Sequence, residues 1–351
     1  MSQNKTPSFK LERIINNLIL VICFGVVAHL IFLLLTNEQN IFQYLSKIKL
    51  PYLVLILACL FANWLGHSLR LMIWTRYLGQ GFKLKEALRI AVFTELGAAI
   101  TPTLIGGGPI KLALLIKHKL STGKAGFLTL LNGLEDFIMY CTVLVVAFFH
   151  ARESIFKILA SILEFIQSNF PKFLVILLIL GIIIYIFRRI HYLKNFLFIP
   201  KSYRKSFRQL LIELKNGWNE MVACFSQVRK NGLGHLLLSL TVLFVQWTIR
   251  FSVLIILLTA LEIDFKIFQM YIQQWIVYLT MIFIPTPGAS GGAEATFYLI
   301  FEKNLPRDLL PLITSTWRFF MYYLMLFFAV FIVQFTSIPG PSKEMTEEIN
   351  E

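Results

Sequence analysis

The chain has 351 residues, of which 57% are hydrophobic and only 15% are charged, and its mean hydropathy is +0.71. A soluble globular domain has roughly 45–50% apolar and about 25% charged residues, so this composition excludes a soluble protein and indicates several membrane-spanning helices. The formal net charge of +14 gathers in a few loops, where the positive-inside bias and anionic lipid headgroups explain it without nucleic acid. The four cysteines form no Cys-x-x-Cys pair and the six histidines show no metal-binding spacing, so we expect neither a metal nor a cofactor.

Six apolar runs are predicted to cross the membrane, because about 20 apolar residues span the hydrocarbon core. They cover residues 14–35, 51–74, 125–149, 173–187, 236–261 and 309–335. The first run has no small-residue cleavage site after it, so we expect it to remain as a membrane helix. The run at 173–187 is short, and the flanking Lys172 and Arg188 extend it by reaching toward the headgroups.

Two further apolar stretches, 87–100 and 267–284, each run into a turn that is rich in proline and glycine. The first turn contains Pro102, Gly106, Gly107, Gly108 and Pro109, and the second contains Pro285, Pro287, Gly288, Gly291 and Gly292. Each turn is followed by an apolar piece that is too short to cross the membrane alone. Irregular backbone is tolerated at membrane depth only where protein or a watery cavity satisfies its polar groups. The pattern therefore predicts two re-entrant helical hairpins, at 87–116 and 267–301.

The distribution of Lys and Arg sets the expected orientation. Basic residues are frequent in the N-terminal tail, on both sides of the first hairpin and in the central loop, so these segments are expected in the cytoplasm. The assignments agree only if each hairpin enters and leaves on one side, the first from the cytoplasm and the second from outside. Both termini are then cytoplasmic.

The spacing of residues around the two turns predicts an internal repeat. Pro102 precedes Glu135 by 33 positions (135 − 102), and Pro285 precedes Arg318 by the same 33 (318 − 285). Each half then reads as span, hairpin and span, and the two halves run in opposite directions, which is an inverted-topology repeat. The alternative is that any eight apolar segments can be paired in this way.

The predicted organisation has five parts. They are an N-terminal membrane helix with an external loop (1–50), a first repeat (51–150), a middle segment (151–233), a second repeat (234–336) and a disordered tail (337–351). The middle segment is expected to hold an external surface helix, a membrane helix and a basic amphipathic helix over 201–232. This amphipathic helix lies either on the cytoplasmic membrane surface or against the helix bundle.

Ionisable residues inside apolar runs cost about 2.5–3.5 kcal/mol each on the lenient insertion scale, so they mark the candidate site. The predicted substrate-binding residues are Arg70, Lys111, Glu135, Asp136, Arg250, Glu294 and Arg318. Glu95 and, more weakly, His67 lie in similar surroundings, and Arg70 and Arg250 are separated by nearly the offset of the repeat. In one interpretation the arginines clamp an anionic headgroup, since guanidinium binds phosphate through two parallel hydrogen bonds. In the other they neutralise carboxylates as structural ion pairs, and both interpretations remain open.

The short helices predicted after Pro109 and Gly292 offer a second means of binding an anion. Their first N–H groups and positive dipole ends point into the membrane interior and attract negative charge. The neighbouring glycines allow either a headgroup or another helix to approach the backbone closely.

One motif has the form of a catalytic site but lacks its context. Gly288-Ala-Ser290-Gly-Gly292 matches the Gly-x-Ser-x-Gly nucleophile elbow, which requires a turn from a strand into a helix and a His–Asp pair. The surrounding segments are predicted to be membrane helices. We therefore expect no catalytic residue here.

The sequence from Pro285 to Ala295, followed by Trp317-Arg318 and Tyr322-Tyr323, resembles the transmembrane region of lysylphosphatidylglycerol synthases and their stand-alone, flippase-like relatives. The first half agrees more loosely, through Arg70 with Trp74, the turn at 102–108 and Glu135-Asp136. The resemblance extends from about residue 51 onward. It implies a polytopic domain of a bacterial-type cytoplasmic membrane that moves a lipid, or a lipid-linked group, between leaflets.

Two features depart from this resemblance. The synthases carry a soluble aminoacyl-transfer domain after the membrane region, whereas here 15 residues (351 − 336) follow the last predicted helix, so lipid aminoacylation is not expected. Pro109 also stands where relatives often have a Gly-Glu step, so a carboxylate role cannot be assigned to that position.

The sequence thus predicts a flippase-like membrane protein rather than an enzyme, with membrane lipids as its partners. We expect an anionic headgroup to enter a wet, cation-lined pocket between the hairpins, held by Arg250, Arg318 and the helix ends. The alternative is a non-transporting accessory subunit that presents a lipid carrier to a partner enzyme through the helix at 201–232. A membrane enzyme is a third hypothesis, for which only Glu135, Asp136 and Glu294 are candidate acids or bases.

Overall fold

A computed structural model describes residues 48–101, 106–150, 201–284 and 286–335. The helices in these ranges are α1 (Leu50–Tyr77), α2 (Leu84–Ile100), α3 (Gly107–Lys117), α4 (Thr122–His150), α5 (Lys201–Asn231), α6 (Leu233–Ala260), α7 (Ile267–Met281), α8 (Gly292–Phe301), α9 (Leu310–Arg318) and α10 (Met325–Phe335). The predicted spans at 14–35 and 173–187, the external surface helix, the C-terminal tail, Pro102 and Pro285 lie outside the described residues.

The helical membrane architecture is confirmed. Four helices of the described ranges are long and apolar enough to cross a membrane: Leu50–Tyr77, Thr122–Val146, Leu233–Ala260 and Leu310–Val333. They coincide with four of the predicted spans. The last is one continuous helix in which a π-helical turn, Phe319–Leu324, joins α9 to α10.

The two interrupted stretches form pairs of short helices. With 17 and 11 residues, α2 and α3 measure only about 26 and 17 Å at 1.5 Å per residue, less than the ~30 Å hydrocarbon core. The pair α7 and α8 is shorter still, with 15 and 10 residues. Gly97 of α2 lies against Ile110 of α3, and Gln273 of α7 donates a hydrogen bond to the carbonyl of Ile300 in α8. Each pair therefore folds back on itself as a hairpin, and the side of the membrane from which it enters stays a prediction.

The helix boundaries repeat at a fixed offset. Helix α6 begins and ends 183 residues after α1 (233 − 50 and 260 − 77), and α7 begins 183 residues after α2 (267 − 84). The caps repeat as well, because Gly79 and Glu262 have positive φ values of 77° and 56°. In both places the next residue donates a hydrogen bond five positions back, as in a Schellman motif. Agreement at this level supports a true repeat rather than an arbitrary pairing of apolar segments.

The contacts between α1 and α6 show that the two copies are inverted. Asn63 and Gln246, which are 183 residues apart and therefore equivalent, share a hydrogen bond of 3.1 Å. Trp74 near the end of α1 donates to Ser239 near the start of α6, so the two helices are antiparallel. Equivalent residues can touch only near a two-fold axis, and an axis that relates antiparallel helices is perpendicular to them. If α1 and α6 cross the membrane, this axis lies in the membrane plane.

Helix α5 packs against the bundle, as one of its two interpretations required. Gly217 of α5 faces Gly123 of α4, and Phe225 stacks edge to face on Phe127 with ring centroids 4.8 Å apart. Met221, Cys224 and Val228 are buried in the same apolar cluster. Of the described apolar residues of this helix, Trp218 and Val222 remain exposed, at 63% and 48%.

Gly66 tests the central contact. A Cβ at this position would lie 2.6 Å from Cγ of Gln246, near the axis that relates the two halves. We expect Gly66→Ala to lower the free energy of unfolding by about 1–3 kcal/mol, since an overpacked buried site forces its neighbours apart. The measurement is thermal unfolding of the purified protein in detergent.

Gly133→Ala is the matched control, because Gly133 also lies inside a long helix and a Cβ added there would have no heavy atom within 4 Å. It should be neutral or stabilising by about 0.5–1 kcal/mol through helix propensity. Equal melting temperatures for the two variants would contradict the close α1–α6 contact.

Candidate functional site

A cavity of about 280 Å³ lies between the two halves of the repeat. Its charged lining residues are Glu95, Lys111, Asp136, Arg250 and Arg318. Methionine, leucine and alanine side chains form much of the remaining wall, including Leu96, Ala99, Met281, Met321 and Met325. Of the seven predicted substrate-binding residues, Lys111, Asp136, Arg250 and Arg318 therefore reach one cavity, whereas Arg70, Glu135 and Glu294 do not line it.

Arg70 is fully buried and holds two carboxylates of α4. Its Nη2 lies 2.6 Å from Oε2 of Glu135, and its Nη1 lies 3.1 Å from Oδ1 of Asp136. Trp74 donates to the other oxygen of Glu135 at 2.7 Å. Glu135 has no exposed side-chain surface, whereas the side chain of Asp136 is 33% exposed. The geometry of this arginine matches the structural ion-pair interpretation.

Lys111 of α3 has a different kind of partner. Its Nζ donates to Oδ1 of Asn132 in α4 at 2.7 Å, and the residue is 9% exposed at the cavity wall. Among the described residues, no carboxylate lies within 4.0 Å of this ammonium group. Lys111 is thus a nearly buried cation whose described partner is neutral.

Arg250 joins the second half to the first. Its Nη1 lies 3.1 Å from Oε1 of Glu95, and its Nε donates to the hydroxyl of Tyr278 at 3.3 Å. The guanidinium also lies over the rings of Trp247 and Tyr278, at 5.5 Å from each centroid. The side chains of Arg250 and Glu95 are 14% and 23% exposed, which leaves this pair accessible from the cavity.

Arg318 fixes the turn of the second hairpin. Its Nε lies 2.9 Å from Oε1 of Glu294, and its Nη2 donates to the carbonyl of Gly288 and to the hydroxyl of Ser290. The ring of Tyr322, in the π-helical turn, lies 4.1 Å from the guanidinium carbon. Ser290, the serine of the Gly-x-Ser-x-Gly sequence, therefore lies in a turn between two helices and contacts an arginine.

The helix ends at the breaks differ from the prediction. Helix α3 begins at Gly107, not after Pro109, and a Cβ on Gly107 would lie 2.9 Å from the carbonyl oxygen of Thr94. At the start of α8, Glu294 accepts the N–H of Gly291 at 2.8 Å, so the chain's own carboxylate occupies the end predicted to attract a headgroup. Gly288 has a φ of 58° and lies directly against the ring of Tyr322. These glycines thus serve close packing and turn geometry.

The expectation of a cation-lined pocket is also incorrect. In the described part of the cluster, the cations are Arg70, Lys111, Arg250 and Arg318, and the carboxylates are Glu95, Glu135, Asp136 and Glu294. The two sets balance, because the cost of each charge in an apolar surrounding is offset by a neighbour of opposite sign.

Sequence reasoning missed several residues that support the site. Asn63 and Trp64 both donate to Oε2 of Glu95, and Gln246 donates in turn to Asn63. A signal for them exists, because Leu60-Phe-Ala-Asn-Trp64 and Leu243-Phe-Val-Gln-Trp247 are alike and lie 183 residues apart (243 − 60). The same offset pairs Arg250 with His67 (250 − 67), so the expected equivalence of Arg70 and Arg250 is not supported.

The fold and cavity define a helical integral membrane protein with an inverted repeat and a charged cavity between its halves. Residues 18–329 match the family described as "Lysylphosphatidylglycerol synthase TM region", and the chain belongs to this family. One similar protein is the "UPF0104 membrane protein" of Archaeoglobus fulgidus, which is 26% identical over 306 residues, covering 82% of this chain and 88% of that protein. The resemblance inferred from the sequence is confirmed.

The ion pair of Arg70 and Glu135 yields a test of structural role. We expect Arg70→Met to lower the free energy of unfolding by about 3–5 kcal/mol, because it leaves a buried carboxylate without its counter-ion. The double variant Arg70→Met/Glu135→Gln should recover much of that loss, since the amide still accepts from Trp74 and carries no charge. Thermal unfolding of both single variants and the double variant measures the coupling.

Arg250→Met is the comparison, because its partner Glu95 is partly exposed to the cavity and keeps donors from Asn63 and Trp64. It should destabilise the protein less than Arg70→Met does. If both arginine variants melt at the wild-type temperature, the structural role assigned to Arg70 is wrong.

Proposed function

We propose that this protein moves an anionic lipid, or an anionic lipid-linked group, between the two leaflets of the cytoplasmic membrane. The observation that carries the proposal is the charged cavity between two inverted halves. In transporters with inverted repeats, substrate sites lie near the midplane at the repeat interface and are formed by interrupted helices. Here both hairpins contribute, through Lys111 of the first and Gly288 of the second.

The size of the cavity suits a headgroup and not a whole lipid. Pockets for drug-sized ligands have volumes of roughly 300–1,000 Å³, and this cavity, at about 280 Å³, is slightly smaller. The acyl chains would remain in the bilayer while the headgroup crosses through protein. Apolar side chains on the α10 side of the cavity, such as Met325 and Leu326, suit the start of an acyl chain.

The ion pairs at the cavity wall do not prevent Arg250 and Arg318 from binding an anion. A guanidinium has five N–H donors, and Arg250 uses its Nε and Nη1 in the contacts described above. An anionic oxygen can therefore join the existing pair as a further acceptor. Pairing with Glu95 and Glu294 also lowers the cost of holding these charges when the cavity is empty of substrate.

The accessory-subunit alternative depends on a docking surface along α5. The packing of Met221, Cys224 and Val228 into the bundle uses much of the apolar face that such a surface requires. This observation supports transport over docking. A protein that binds lipid without moving it would still fit the alternative, and the experiment below separates the two.

A leaflet assay with the purified protein in liposomes tests the proposal. We expect the wild type to move acyl-labelled phosphatidylglycerol across the bilayer faster than labelled phosphatidylcholine and faster than protein-free liposomes do. Arg318→Gln should reduce the rate about tenfold or more, because a charge-assisted hydrogen bond is worth roughly 1.5–3 kcal/mol. The rate is read from the fraction of label that an impermeant quencher reaches over time.

Lys303→Gln is the matched control, because it also removes one positive charge but lies on an exposed position after α8. Its transport rate should equal that of the wild type. Rates of the wild type equal to those of protein-free liposomes, with anionic lipid still bound, would favour the accessory-subunit alternative.

A further inference from the structure

The offset of the repeat aligns charged residues of opposite sign. Lys111 is equivalent to Glu294 (294 − 111 = 183), and Glu135 is equivalent to Arg318 (318 − 135 = 183). The first half therefore has a base on its hairpin and an acid on the following span, and the second half has the reverse. Either combination can form an ion pair at the same place in its half.

Only the second half forms that pair in the structure. Glu294 and Arg318 lie 2.9 Å apart. In the first half Lys111 instead contacts Asn132, which lies three residues, or about one helical turn, before Glu135. Glu135 is held by Arg70 and Trp74. The halves thus show two arrangements of one design, an engaged pair and a released pair.

Ser315 provides the released position in the second half. It is equivalent to Asn132 (315 − 132 = 183), it is 5% exposed, and its Oγ has no hydrogen-bond partner among the described residues. A buried hydroxyl without a partner is unfavourable and calls for an explanation. A serine hydroxyl can donate to the carboxylate of Glu294, just as the amide oxygen of Asn132 accepts from Lys111. Each half therefore contains both an engaged and a released partner for its hairpin charge.

The released arrangement leaves Lys111 available to substrate. Lys111 lines the cavity and is nearly buried, and in the described part of the chain it lacks the carboxylate that each arginine of the cluster has. Burial of a charge is costly unless it is paired. An anion that enters the cavity can supply the missing counter-ion.

We propose that Lys111 binds the anionic group of the substrate in the conformation seen here, and that Glu135 displaces this group when the first half takes the engaged arrangement. In that second state Lys111 pairs with Glu135, while Glu294 leaves Arg318 for Ser315. The exchange of roles between the halves follows from their inverted symmetry, since each half can adopt the arrangement of the other. This inference rests on the proposed function and assigns the residues that bind and release the headgroup.

Binding to the purified protein tests the role of Lys111, with short-chain phosphatidylglycerol, glycerol 3-phosphate and inorganic phosphate as probes. Lys111→Met should weaken binding of the lipid about tenfold or more, and Lys111→Arg should restore most of it, because a charge-assisted hydrogen bond is lost and regained. Glu135→Gln should tighten binding, because the competitor for Lys111 is removed. Binding of phosphatidylglycerol but not of the two soluble probes identifies a lipid headgroup as the ligand, and tight binding of all three identifies the phosphate alone.

Ser315→Ala tests the exchange without touching the cavity wall. It removes the partner of Glu294 in the second state, so lipid movement in liposomes should slow about three- to tenfold while lipid binding stays equal or tightens. Thr314→Val is the matched control, because the hydroxyl of Thr314 bonds only within its own helix, to the carbonyl of Leu310. The control should match the wild type in both measurements.

The two proposals fail in different ways. Lipid movement by the wild type together with unchanged binding by Lys111→Met would overturn the role of Lys111 alone. A Ser315→Ala rate equal to that of the wild type would overturn the exchange between the halves. Lys111-dependent binding without any lipid movement would instead overturn the proposed function.

Discussion

Charge in an apolar surrounding must be paired, and this constraint decides which helices of the protein touch. An unpaired charge at the bilayer centre costs about 2.5–3.5 kcal/mol even on the lenient scale, and this chain holds four cations and four carboxylates in one described cluster. Arg70 joins α1 to α4, Arg250 joins α6 to α2, and Arg318 joins α9 to α8. The charges therefore fix the register of these helices more specifically than apolar packing in lipid can.

Pairing is uneven, and the unevenness lies in the first half. Arg70 takes two carboxylates, Glu135 and Asp136, so the number of charges balances while Lys111 is left with an amide. In the second half the position of Arg70 is held by Val253 (253 − 70 = 183), so no second cation competes for Glu294. One arginine without a counterpart thus separates two halves that share their helix boundaries.

The spans, the breaks and the repeat could be predicted from the sequence, because apolar length, Pro/Gly turns and equal spacing are local or periodic signals. The partner of each charge could not. Glu95 and Arg250 are 155 residues apart, and nothing local to either residue selects the other. The equivalence expected for Arg70 and Arg250 failed because their separation is 180 residues (250 − 70), nearly one helical turn short of the true offset. An offset error of three residues places a side chain on almost the same face but in the wrong layer.

The two hairpins are connected through Tyr322. Its hydroxyl donates to the carbonyl of Ala99 at the end of α2, while its ring lies against Gly288 and beneath the guanidinium of Arg318. Energetic coupling between sites requires an element that both sites bias. A π-helical turn, a device often found at functional sites, carries this tyrosine. Release of Glu294 by Arg318 must therefore disturb a side chain that also holds the first hairpin, which gives the two halves a physical means of changing together.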